Sequence, residues 1–173
     1  SSPLSSDADG YRKIEKLMAF GSRSFSIWDE AGNQVFDSRS DFEKITAERL
    51  GVNFNSTNDE NDSGDNRSDD KGPEPEGVTV GKVGAKTYAF IGLERAGGIM
   101  VYDVTVPAAA RFAGYVNNRD FAGDPKAGTA GDLAPEGLAF FSADASPNGK
   151  PLLAAGHEAP GTTPIPQATV NST

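Results

Sequence analysis

The chain has 173 residues, a formal charge of −9, no cysteine and only 36% apolar residues. It is long enough for one domain, which takes ~100–200 residues, but poor in core-forming side chains against the ~45–50% usual in globular domains, a figure that also counts Gly. The charge argues against phosphate backbones as partners and so against nucleic acid; disulfides and thiolate metal sites are excluded, and no apolar run approaches the ~18 residues of a membrane span.

Residues 1–15 are polar and read as a linker, with Asp7-Ala8-Asp9-Gly10 an exposed acidic turn rather than a calcium loop. No signal-peptide pattern is present, and Ser1-Ser2-Pro3-Leu4 reads as a processed or cut end. Leu17-Met18-Ala19-Phe20 is expected as a short strand. Phe25–Trp28 and Gln34–Phe36 then flank the Gly-containing turn Asp29–Asn33, which is the pattern of a hairpin. Ser40-Asp41-Phe42-Glu43 has the spacing of a capping box. Phe42, Ile45 and Leu50 follow at helical spacing and Gly51 is a fitting stop, so one short helix is predicted over Asp41–Leu50, packed outside a sheet.

The stretch Asn53–Lys71 carries Asp59, Asp62, Asp65, Asp69 and Asp70 and almost no apolar side chain. It is expected as a long acidic loop, either solvated or tied down by an ion. Asp59-x-Asn61-x-Ser63-Gly64 followed by Asp70 imitates an EF-hand loop. However, Asn66 stands where a hydrophobe is usual and no helix pair flanks the loop, so a looser oxygen cage is the better form of that idea. Strands resume at Gly77–Gly81, Thr87–Gly92, Gly98–Val104 and Arg111–Val116, four short runs with Gly-rich links, as in a propeller blade.

Pro75-Glu76-Gly77 recurs as Pro135-Glu136-Gly137 about 60 residues further on, longer than the ~40–50 of common propeller repeats. Each copy opens a strand, and each is followed by a second strand that ends in glutamate, Glu94 or Glu158. Gly21–Asp29 matches Gly97–Asp103 in outline. The expected fold is therefore all-β: a partial propeller over residues 16–163, roughly two and a half blades of antiparallel sheet, with one inserted helix, a long acidic loop and an irregular tail at 164–173. The start of one antiparallel strand and the end of the next share an edge, which predicts two matched pairs on one face, Glu76 with Glu94 and Glu136 with Glu158.

Three runs resemble signatures of the choice-of-anchor I family: Ala19–Asp29, Arg67–Gly77 and Gly92–Val104. These are bacterial exported β-propeller proteins, often labelled alkaline phosphatase, and the resemblance runs from about Leu17 to Thr163. It implies a secreted, periplasmic or cell-surface protein whose propeller is completed by blades outside this chain or by an assembly. It carries over no catalytic residue. Where the family has an apolar strand, this chain has Pro164-Ile165-Pro166-Gln167, which weakens the expected pairing.

The chemistry expected is calcium ligation, with Asp59, Asp65, Asp69, Asp70, Glu76, Glu94, Glu136 and Glu158 as candidate ligands in a non-catalytic scaffold or a binding module for a cell-surface ligand. The alternative is a calcium-dependent phosphoesterase acting on a phosphate ester. The glutamates could instead be structural, paired with Arg67, Arg95 or Lys71. His157 is the sole histidine, so a His-rich zinc site is impossible here, and it is expected to be structural. Trp28 and Tyr102 are expected to pack in sheets. No nucleophile elbow and no phosphate-binding loop appears. Sequons at Asn55, Asn61, Asn66 and Asn171 matter only in a glycosylating host.

Overall fold

The computed structural model describes residues 4–6, 12–14, 16 and 18–169. The Asp7–Gly10 turn, Leu17 and the Asn171 sequon lie outside them. Among the described residues there are ten strands and one α-helix. In chain order these are β1 (Leu4–Ser6), β2 (Arg12–Ile14), β3 (Ser26–Trp28), β4 (Gln34–Asp37), α1 (Asp41–Leu50), β5 (Pro75–Val83), β6 (Lys86–Leu93), β7 (Ile99–Asp103), β8 (Arg111–Val116), β9 (Leu133–Phe141) and β10 (Leu152–Ala159). No described helix is long and apolar enough to cross a membrane.

All pairing is antiparallel. A four-stranded meander, β5-β6-β7-β8, stands between two-stranded hairpins β3-β4 and β9-β10, and β1-β2 forms a further hairpin within the stretch expected as a linker. The chain is mostly β with one short helix, and its sheets are open.

Strand β6 explains the layering. Its Ala89, Ile91 and Leu93 project to one face, and its Tyr88 and Phe90 to the other, because side chains alternate along a strand. The first face is covered by α1 and the β3-β4 hairpin: Phe42 at 0% exposure meets Tyr102, Met100 and Phe25 there. Phe25 contacts Tyr102 edge-on with ring centroids 4.9 Å apart. The second face is covered by β9-β10, where Phe90 stacks on Phe140 at 5.7 Å. A central strand buried on both faces reads as an unbroken apolar run rather than an alternating one, which is how Tyr88–Leu93 is written.

Several local expectations are corrected. Met18, Ala19 and Phe20 are irregular and exposed, so no strand forms there. Helix α1 has the expected bounds, but Ser40 makes no side-chain cap. Glu43 turns away to pair with Arg23 at 2.5 Å, leaving the box without its second half. Tyr102 packs as expected at 0% exposure, whereas Trp28 is 59% exposed. The proline-rich return forms no strand, only the isolated bridge Leu152↔Gln167, yet it is tied to β10. Leu153, Ala155 and His157 of β10 donate their backbone N–H groups to the carbonyls of Pro166, Pro164 and Thr162 at 2.9–3.2 Å. Proline lacks a donor but keeps its acceptor, and just past the prolines Ala168 donates back to the Pro151 carbonyl at 2.9 Å.

The acidic loop is compact, and protein groups hold it. Arg119, 8% exposed, donates to the carbonyls of Thr57, Glu60 and Arg95 and to Asn61 Oδ1 at 2.8–3.1 Å. Arg23 reaches the carbonyls of Ser68 and Asp70 at 2.7 and 2.9 Å. Arginine suits this because its planar fork satisfies several acceptors at once. Burial pulls the Arg119 pKa down to about 10.

Candidate metal centre

The Pro-Glu-Gly repeat has a backbone meaning. The residue before each proline has a left-handed conformation, with φ +55° at Glu74 and +52° at Ala134. In the first copy the ladder runs from Pro75↔Leu93 to Val78↔Ile91, so Glu76 and Gly77 together face one partner residue, Gly92. In the second copy Gly156↔Gly137 is followed directly by His157↔Pro135, leaving Glu136 as the extra residue. Both are β-bulges, and a bulge re-aims a side chain out of the regular alternation. Each repeat therefore displays its glutamate.

The two copies then meet. A methyl group on Gly77 would lie 2.2 Å from the Glu136 carbonyl oxygen, and one on Gly92 2.7 Å from that of Pro135. These glycines form a seam on which β9 closes against β5 and β6. Closure brings one carboxylate oxygen from each of Glu76, Glu94 and Glu136 within 4.8 Å of the others. Glu76 and Glu136 are exposed, while Glu94, just beyond the end of β6, is 5% exposed.

Glu94 is the electrostatic centre of the group. Burial, then the hydrogen bond and charge of Glu76, push its carboxyl up to about 8, against the pull of Arg95. The Arg95 guanidinium lies 2.9 Å from Glu94 Oε1 and 2.7 Å from Glu74 Oε2, and also binds Asn58 Oδ1. For Glu74, burial raises the pKa, but hydrogen bonds from Lys71 and Arg95 overcome it and hold the carboxyl below its ordinary value. Thus Glu74 is the saturated carboxylate, and the trio beside it is the under-compensated one.

The remaining candidate ligands are placed elsewhere. Glu158 is exposed on β10 and is not in the group, so the expected pair with Glu136 is replaced by a trio drawn from both repeats. Asp70 pairs with Arg67 at 2.8 Å. Asp65 accepts from the Ser68 hydroxyl, Asp69 is exposed, and Asp59 lines a shallow pocket with Asn61 and Lys126. The EF-hand-like positions do not converge: Ser63 donates to the Glu60 carbonyl at 2.7 Å, and Asn61 turns its amide toward Asp120 and Gly123. His157 is buried, its Nδ1 3.1 Å from the Ala155 carbonyl. Glu74 and Arg95 organise the site and were missed as a unit. Their signal was the acidic residue two positions before Glu76 and the basic one directly after Glu94.

Beside Glu76 lies a pocket of about 290 Å³ between the Phe20–Ser24 segment and residues 71–76, with Lys71 and Glu74 in its wall.

Against known proteins, no solved structure matches. Among curated proteins, Gigasin-3a of Magallana gigas is 28% identical over 91% of this chain, and the chain spans 63% of that protein's length. The model of the choice-of-anchor I domain matches residues 2–107, more than half of the chain, and the chain belongs to the choice-of-anchor I family.

Proposed function

We propose that this chain is a segment of an exported or cell-surface β-propeller that serves as a binding module, with one calcium ion held on one face by Glu76, Glu94 and Glu136. The propeller reading is supported by a full four-stranded meander stacked between two hairpins, with the Pro-Glu-Gly repeat opening equivalent strands. In this reading β3-β4 is the outer half of one blade, β5–β8 a whole blade, and β9-β10 the inner half of a third. The other blades, from further chain or an assembly, are its first partners.

The calcium reading is carried by one observation: three carboxylates, two from the bulges of β5 and β9 and one just past the end of β6, with ligand atoms within 4.8 Å of each other. Oxygens that share a calcium ion lie ~2.3–2.6 Å from it, so opposed ligands stand about twice that apart. Only oxygen donors are offered, as a hard cation requires, and the irregular arrangement suits calcium better than the octahedral demand of magnesium. A cation here would also replace the proton on Glu94 and relieve the repulsion among the three groups.

The test is calorimetric titration of chelator-treated protein with calcium chloride, beside a phosphomonoester turnover assay on the same sample. Binding that is lost in Glu136→Gln, without turnover, supports the reading. No heat and no thermal shift at millimolar calcium overturns it. Chelator-sensitive turnover lost on Glu76→Gln would assign phosphoesterase chemistry instead.

A further inference from the structure

We propose that the pocket beside Glu76 binds the ring of a neutral sugar. Its volume of about 290 Å³ sits at the lower end of the ~300–1,000 Å³ typical of ligand pockets, the size for one small ring. Phe20 forms one wall and is 65% exposed. A phenyl face left in water at the mouth of a pocket is a platform for the flat, C–H-bearing face of a pyranose, and covering it recovers apolar area. Other lining groups are polar and short: the hydroxyls of Ser22 and Ser24, hydrogen-bonded to each other at 2.8 Å, and the exposed carboxylate of Glu76. Hydroxyls that donate and accept, beside an aromatic ring, match the polar and apolar surfaces of a sugar.

Charge selects the class. Lys71 is tied to Glu74, which Arg95 also neutralises at 2.7 Å. The one cation in the wall is therefore already compensated and leaves nothing to attract a phosphate or carboxylate ligand, while Glu76 repels one. A neutral polyol escapes that repulsion, and Glu76 can accept hydrogen bonds from two of its hydroxyl groups. The pocket shares Glu76 with the carboxylate trio but takes no lining from Glu94 or Glu136, so it is tested with the cation removed.

Saturation-transfer NMR of the whole chain in chelator tests it, using methyl glycosides of glucose, mannose and galactose, with glucosamine and glucose 6-phosphate as charged comparators. At least one neutral glycoside is expected to show transfer, with affinity about five-fold weaker in Phe20→Ala, as for loss of one aromatic contact. Phe20 is exposed, so that variant keeps the fold. The absence of transfer from every glycoside, transfer undiminished in Phe20→Ala, or binding only by a charged comparator overturns the proposal. A calcium titration of chelator-free protein from the same preparations keeps failure of the cation site separate from failure of the pocket.

Discussion

Glu94 holds a proton at neutral pH where an exposed glutamate would not, and that has a direction for stability. Its carboxyl rises from an ordinary 4.5 to about 8 in the fold. Between these values the folded chain binds more protons than the unfolded one, so stability falls as pH rises through the window and levels off above it. Glu94→Gln removes the titrating group while keeping its shape. In chelator, thermal melts are expected to show the variant more stable than the parent at pH 8, with the gap closing toward pH 5. A gap that is constant with pH would show that Glu94 is not the titrating group. Of the trio, Glu76 and Glu94 were legible from the edge rule for antiparallel strands. Glu136 was legible as a repeat but not as a third member of the same group, because the closeness of two strands from different sheets depends on glycines with no side chain to signal it.

At the level of elements, the glycine seam and the arginine-bound loop carry different risks. Alanine at Gly77 would place a methyl group 2.2 Å from a backbone oxygen, which no rotamer change can relieve. Gly77→Ala is expected to cost about 1–3 kcal/mol in urea melts and to weaken calcium binding through the displaced Glu136. Gly137→Ala, the equivalent residue of the second repeat with nothing within 4 Å, is expected to be mild by comparison. The loop over Asn53–Lys71 should behave otherwise. Its backbone carbonyls are held by Arg23 and Arg119, so amide exchange there is expected to ignore chelator and to quicken in Arg119→Met, which keeps bulk but leaves several carbonyls without donors. Loop protection that collapses in chelator would instead make the ion its anchor. Helix α1 was readable to its ends from spacing and Gly51, whereas the capping box failed because Arg23, twenty residues away, competes for Glu43. Long-range competitors of that kind leave no mark in a local window.

The whole molecule presents edges. The outer strands of the meander lack neighbours on one side, and Val78, Val80 and Val116 are each more than half exposed. Unpaired edges with apolar faces favour association. Sedimentation of the isolated chain is expected to show association that grows with concentration and is reduced by Val80→Lys. The four strands from Gly77 to Val116 and both hairpins were legible, since turn residues and apolar runs alternate cleanly there. The contacts of the tail with β10 were not, because two prolines argue against a strand while their carbonyls stay free to accept.

The paired bulges also change what a lost residue would do. In a regular ladder, removing one residue turns every later side chain to the opposite face. At Glu76-Gly77 the strand already carries one residue more than its partner needs, between Pro75↔Leu93 and Val78↔Ile91. A deletion there restores a plain alternation and leaves the pairing on either side in step. The repeat thus holds its slack where its carboxylate is, so this chain can shorten at that point and give up the displayed acid while keeping the sheet.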